Sequence, residues 1–323
     1  MSTSIDLDSP RYVKKALLWG IIGLIILLIA VIQQAIHDRA LKVSPIAHIP
    51  TVSELLTEKL ASTTLEAKSV VVYDIAHHQI LFAKNAEQQL PLASLTKVMT
   101  ALVATESIPE FTTITIPDEI SKVDKRVIQP GQKWSLKQLL DYTLVVSSNE
   151  GARSIASVVG AFEKEATSTD STREWFIKKM NTRARELGMS QTYFINESGL
   201  DLSEPGFVSG AYGSATDLTT LFAFTLKTHP EIFEATTKDL LLVHSQTKSY
   251  TAENTDKIIN QLPGVIASKT GLTDLSGGNL VVALDIGINN PVIIAVLGSS
   301  EKGRFTDVTT LANATVEAMG SYR

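Results

Sequence analysis

In the stretch "PLASLTKVMT", residues 91–100, a serine and a lysine stand three positions apart among apolar neighbours. Read as a helix, "SLTKVMTALVA" places Leu95, Val98, Met99, Leu102 and Val103 on one apolar stripe facing a core. Ser94 and Lys97 then lie about 60° apart at 3.6 residues per turn and flank that stripe together. Ser94 also stands at the helix start, where free N–H groups stabilise negative charge. Two readings compete. In the first, Ser94 caps the helix and Lys97 extends its ammonium to solvent. In the second, Ser94 is a nucleophile and Lys97 takes its proton, because a serine hydroxyl is weak until a neighbour removes that proton. A lysine serves as a base only when burial or a nearby cation lowers its proton affinity, and a second lysine in the same pocket would do so.

Two further patches supply partners. "SSN" at Ser147–Asn149 falls in a turn between two expected helices, where side chains project into a cleft. "KTG" at Lys269–Gly271 ends an expected strand and offers a cation, a hydroxyl and a glycine that lets backbone approach a ligand. Alone, each has a plain alternative: Ser147 as the cap of the next helix, Lys269 as a surface charge. In the order S-x-x-K, S-x-N, K-T-G they match the signature set of penicillin-binding proteins and serine β-lactamases.

The elements that must position these residues are legible around them. "SVVVYDIAHHQILFAKN" holds two β-rich runs, Ser69–Ile75 and Gln79–Ala83, joined by a polar turn containing His77 and His78. Ser135 with Gln138 three later is a capping-box signature, followed by Leu136, Leu139, Leu140 and Leu144 at helical spacing. "ARSIASVVG" and "REWFIKKMNTRARELG" read as helices, the latter with Gly188 as C-cap. "SATDLTTLFAFTL" reads as another, capped near Thr216 or Asp217. "GVIASKTG", "GNLVVALDIG" and "PVIIAVLGSS" are β-rich, the last two a hairpin across "INNP", and a helix from about Phe305 to Met319 closes the chain. This order suggests one sheet with helices packed on it.

Composition narrows the function. The chain has 323 residues, 44% of them hydrophobic and 20% charged, with a net charge of −5 and no run of Lys and Arg. A nucleic-acid partner is not expected. Cysteine is absent, and the histidines (His37, His48, His77, His78, His229, His244) show no metal spacing, so neither a thiol nucleophile nor a metal site is expected, and the serine–lysine chemistry above needs no other cofactor. "ALLWGIIGLIILLIAVI", Ala16–Ile32, is uncharged, and with residues up to Ile36 reaches the ~20 residues that cross a hydrocarbon core. It exceeds the apolar core of a signal peptide and lacks a clear A-x-A site, so an uncleaved anchor is expected. Arg11, Lys14 and Lys15 before it outnumber Arg39 and Lys42 after it, which leans toward an N-in, C-out orientation. The expected organisation is a cytoplasmic segment 1–15, a transmembrane anchor 16–36, a juxtamembrane linker 37–66 holding a short helix near Val52–Leu60, and a catalytic domain 67–323.

From about Ala67 onward the sequence resembles the low-molecular-mass penicillin-binding proteins, the serine D-alanyl-D-alanine carboxypeptidases. "AKSVVVYDIAHHQILFAKNAEQQLPLASLTKVMTALVA", "LGMSQTYFINESGLD", "GSATDL", "GVIASKTGLTDLSGGNLV" and "VLGSSEKGRF" carry the likeness. The resemblance implies an α+β, β-lactamase/transpeptidase-like fold: an antiparallel sheet with flanking helices and a helical subdomain. It implies that Ser94 forms an acyl-enzyme, that Lys97 is its base and that Ser147 relays a proton to the leaving D-alanine. By the same resemblance Asn149 holds the substrate amide, Lys269 keeps the field positive, and Thr270, Thr273 and Arg304 grip the terminal carboxylate. Backbone N–H groups of Ser94 and Leu272, beside Gly271, would form the oxyanion hole. The implied substrate is a peptidoglycan stem peptide, the implied role wall maturation and cell shape, and β-lactams the implied covalent inhibitors, with the catalytic domain on the extracytoplasmic side of the cytoplasmic membrane. Larger family members add an all-β domain and a C-terminal amphipathic helix. Here the residues after Gly271 are expected to form two strands and a helix, with anchoring at the N-terminus. An endopeptidase of the same fold and a β-lactamase are the alternatives; the latter needs an added glutamate, and Glu163, Glu165 and Glu186 each fall in an expected helix, where a solvated charge is the plainer reading.

Overall fold

The computed structural model describes residues 10–40, 49–118, 128–163, 169–202, 208–287 and 290–322. The chain divides into two compact units, Met1–Ile49 and Pro50–Arg323. In the first, helix α1 (Pro10–Ala40) extends beyond the expected span at both ends; with a mean hydropathy of 2.7 in its most apolar window it is long and apolar enough to cross a membrane.

In the second unit, α2 (Val52–Leu60) opens on Thr51, whose side chain and Glu54 form a reciprocal capping box. Residues 50–66, expected as linker, belong to the folded unit. Leu56 and Leu60 are buried, Ser53 Oγ donates to Leu81 O, and the N–H groups of Glu66 and Ala67 donate to the Asp307 carboxylate. Strands β1 (Ser69–Asp74) and β2 (Gln79–Lys84) form the expected hairpin. They are followed by β3 (Leu90–Pro91), a 3₁₀ turn (Ala93–Leu95) and α3 (Thr96–Ser107). Next come β4 (Thr113–Thr115), β5 (Lys133–Ser135), α4 (Leu136–Val145), α5 (Asn149–Glu163) and α6 (Thr169–Glu186). Ser135 Oγ accepts from Gln138 N as expected, but the Gln138 side chain accepts from His244 N instead of closing the box. Strands β6 (Tyr193–Phe194) and β7 (Ala211–Gly213) lead to α7 (Ala215–Thr228), whose N-cap is Ser214, earlier than Thr216 or Asp217, because Ser214 Oγ accepts from Asp217 N. A hairpin of β8 (Leu240–His244) and β9 (Ser249–Glu253) precedes β10 (Val265–Thr273), β11 (Gly277–Asp285), β12 (Pro291–Ser299) and α8 (Gly303–Tyr322).

The main sheet has the order β10-β11-β12-β1-β2, antiparallel throughout. Its inner strands are near-continuous apolar runs because both faces are covered. Side chains alternate across a strand. Val70, Val72, Val282, Ile294 and Val296 therefore pack with α2 and α8, through Leu56, Leu60, Val308 and Leu311. Val71, Val281, Ala283, Ile293 and Ala295 face the other way, into the larger core with α3, α4, α5, α6 and α7. Helix α3 is the centre of that core. The expected single stripe is in fact burial all round, from Thr96 to Ala104, polar residues included. This strand order leaves β10 at a sheet edge, beside the 3₁₀ turn that leads into α3.

Candidate active site

The 3₁₀ turn carrying Ser94 is held from several sides. Asn279 Nδ2 on β11 donates to Pro91 O and Leu92 O at 3.0 and 3.1 Å. Thr96 Oγ1 donates to Ala93 O at 2.7 Å, and Ala93 sits at φ +50°, a conformation that non-glycine residues hold only under constraint. Ser94 is thus not a side-chain cap; α3 begins after it, and no side chain caps that end.

Lys97, one turn further, is fully buried, which excludes an ammonium in solvent. Its Nζ lies 2.8 Å from each of three oxygens: Ser94 Oγ, Asn149 Oδ1 and the Ser198 carbonyl. Three partners match its three donors when protonated. Burial lowers its pKa to about 7, against the opposing charges of Glu197 and Glu150. At neutral pH a large share of the amine is therefore free to accept a proton from the hydroxyl beside it.

The second group forms where α4 turns into α5. Ser147 is at φ +60° and its Oγ accepts from Lys269 Nζ at 3.0 Å. Capping of α5 falls instead to Ser148, whose Oγ accepts from Gly151 N at 3.0 Å. That removes the cap reading for Ser147. Lys269 is buried, also donates to Thr270 O at 2.9 Å, and is pushed well below the usual lysine range by burial and then by the charges of Lys97 and Arg304, against Asp256. Lys269 thus senses the charge of Lys97.

KTG lies inside β10 rather than at its end, the strand running on to Thr273. Gly271 is where β10 meets the nucleophile turn: a β-carbon there would lie 2.9 Å from Leu92 O and 3.2 Å from Ala93 Cβ. Leu272 is 43% exposed, on the edge strand. Thr270 Oγ1 is 2.6 Å from Thr255 Oγ1. Thr273 is engaged within its own hairpin turn, its N–H and hydroxyl both bonded to Ser276 Oγ. Arg304, buried in the first turn of α8, donates to Gly271 O at 2.7 Å and so braces β10. Ser94, Lys97, Asn149, Lys269 and Ser147 are brought into two linked clusters. Thr273 and Arg304 stand along the strand beside them.

Several contributors carried no assigned role in the sequence. Ser198 supplies a ligand to Lys97, and Asn196 Oδ1 folds the turn by accepting from Ser198 N and Gly199 N. The Asn-x-x-Gly pattern signals such a turn, but not what it touches. Asp256, fully buried, accepts from Ser268 Oγ at 2.6 Å, and burial raises its pKa. Of the glutamates considered for deacylation, Glu186 pairs with Arg183 on α6. Glu163 ends α5. Glu165 lies outside the described residues.

Residues 56–301 match the model of the peptidase S11 family, D-alanyl-D-alanine carboxypeptidase. The chain belongs to that family. It is 28% identical over 254 residues to the D-alanyl-D-alanine carboxypeptidase DacF of Bacillus subtilis, a match covering 76% of this chain and 61% of that one. It is 29% identical over 256 residues to a D-alanyl-D-alanine endopeptidase of Pseudomonas aeruginosa, covering 76% of each. Among solved structures it is similar to the ampicillin-bound penicillin-binding protein D2 of Listeria monocytogenes, with a TM-score of 0.65, 26% identity and coverage of 79% of this chain and 98% of that one. The α+β penicillin-binding fold, with its antiparallel sheet between helices, is thereby established for this family member.

Proposed function

We propose that this family member is a serine D-alanyl-D-alanine carboxypeptidase that trims peptidoglycan stem peptides through an acyl-enzyme on Ser94. The observation that carries the reading is Lys97, a buried amine with a pKa of about 7, 2.8 Å from the Ser94 hydroxyl. Ser94 Oγ attacks the carbonyl of the penultimate D-alanine while its proton passes to Lys97 Nζ. The oxyanion is held by the backbone N–H groups of Ser94 and Leu272. Collapse breaks the C–N bond, and the proton held by Lys97 passes through Ser147, itself bonded to Lys269, to the leaving amine, which returns Lys97 to the neutral form that takes a proton from the attacking water. Water then hydrolyses the ester and restores Ser94. Asn149 orients the substrate amide. Lys269, Thr270 and Thr273 meet the terminal carboxylate, and Arg304 adds its charge while fixing Gly271. An extended peptide suits the exposed edge of β10.

Incubation with penicillin and measurement of intact mass tests this reading. One penicilloyl group is expected on the wild-type chain and none on Ser94→Ala. A long-lived adduct is expected; rapid penicillin turnover would favour a β-lactamase instead. Endopeptidase action is the second reading, favoured by the similarity to the Pseudomonas endopeptidase. A stem pentapeptide and a cross-linked dimer, supplied separately, distinguish the two by their products. Helix α1 is read as a single-pass anchor that leaves the catalytic unit extracytoplasmic, in a role in wall maturation and cell shape. Protease added outside spheroplasts is expected to degrade that unit.

A further inference from the structure

The reaction uses Lys97 but assigns nothing to the acid behind it. Glu197 is 2% exposed, and Arg173 Nη2 of α6 donates to both of its carboxylate oxygens at 3.0 Å. Thr100 Oγ1, on the turn of α3 after Lys97, donates to Glu197 O at 2.6 Å. The next carbonyl, Ser198 O, is the one bound to Lys97 Nζ, and Asn196 Oδ1 ties the following N–H groups. The turn is thus clamped through its side chain and on both sides of its backbone. A buried carboxylate is retained at a cost in solvation unless its partners compensate it, and here it sits next in sequence to a ligand of the base.

Resting on the acyl-enzyme reading above, we propose that Glu197 is a positioning residue for Lys97: clamped by Arg173, it fixes the Ser198 carbonyl on the amine and places a negative charge behind the base. The charged groups facing Lys97 come from three directions. The 196–199 turn brings Glu197, with Arg173 of α6 behind it; α5 brings Glu150, whose carboxylate accepts from Ser148 Oγ; β10 brings Lys269. The two acids raise the proton affinity of Lys97, Glu197 the more strongly, while burial lowers it. Without the Glu197 charge, the amine loses its proton at lower pH.

The test is the rate constant for Ser94 acylation by a fluorescent penicillin, followed against pH for the full chain in detergent micelles. In Glu197→Gln the rising limb is expected to move to lower pH by roughly half a unit, with a lower plateau. Glu197→Asp, which keeps the charge, is expected to leave the limb near its wild-type position. A lower plateau with an unmoved limb in Glu197→Gln would overturn the proposal and leave Glu197 a merely structural residue. If Glu197→Gln does not fold, the double variant Glu197→Gln/Arg173→Gln, which removes both charges of the ion pair, takes its place: the same shift is expected, and an unmoved limb there overturns the proposal equally. Failure of the wild-type chain to acylate on Ser94 would remove the reading of the site itself, a result distinct from acylation with an unmoved limb.

Discussion

Gly199 packs so closely on Ala93 that a β-carbon added to it would lie 1.8 Å from the Ala93 carbonyl oxygen and 2.5 Å from Thr96 Oγ1. Both residues have positive φ, +76° and +50°. Ala93 directly precedes Ser94, so the pose of the nucleophile depends on a turn about a hundred residues later in the chain. The same turn carries the Ser198 carbonyl that binds Lys97. Nucleophile and base are thereby referenced to one backbone feature.

Gly199→Ala forces that contact apart and imposes a strained φ on the new side chain. It is expected to destabilise the folded unit by about 2–4 kcal/mol and to slow acylation by penicillin. Urea unfolding and acylation kinetics measure the two effects. An unchanged midpoint and rate would show that the turn yields without disturbing Ser94.

Lys97 as base fixes the sign of the pH dependence. The reactive form is the neutral amine, so acylation rises with pH, its midpoint near the pKa of about 7 that burial imposes. Lys97→Met is expected to lower the acylation rate constant by about 10²–10⁴. A profile flat across neutral pH in the wild-type chain would contradict this assignment.

Much of this site is readable from residue types, and the remainder depends on contacts that local patterns do not encode. The β1–β2 and β11–β12 hairpins follow from short β-rich runs separated by turn residues. The three motifs stand out because the chemistry needs a nucleophile, a base and a second cation together. The all-round burial of α3 from Thr96 to Ala104 does not follow from its pattern, because Thr96, Lys97 and Thr100 look solvent-facing until their partners, Ala93 O, Ser94 Oγ and Glu197 O, arrive from the preceding turn and from residues much later in the chain. Helix α2 resembles a connector since its two buried leucines need α8, far away in the chain, to cover them. Gly271 suggests the end of a strand, yet β10 continues because its glycine serves close approach to Leu92 and Ala93.

The adjacent hydroxyls of the SSN triplet divide two tasks. Ser148 caps α5, so Ser148→Ala is expected to cost about 1 kcal/mol of stability with a small effect on acylation. Ser147 faces Lys269 instead. Ser147→Ala is expected to leave stability nearly unchanged and to reduce pentapeptide turnover about 10²-fold or more. Thermal unfolding alongside turnover of the two variants decides the matter, and reversed effects would mean that the roles are exchanged.

Burying Lys97 also links folding to pH. Its pKa falls from 10.5 in the unfolded chain to about 7 in the fold, so between these values the unfolded state holds more protons than the folded one. Stability therefore rises with pH through that window, and below about 7 the fold carries the full cost of a charged, buried amine. At about 1.4 kcal/mol per pKa unit the rise is on the order of several kcal/mol. Lys269, whose pKa is displaced in the same direction by burial and by Lys97, adds to it. Urea unfolding of the full chain in detergent, at neutral pH and again about two units higher, is expected to show greater stability at the higher pH. In Lys97→Met the difference shrinks, because one of the two titrating amines is gone and the other loses a repulsive neighbour. An identical pH increment in the two proteins would mean that Lys97 keeps its proton on folding, which is incompatible with its acting as the base for Ser94.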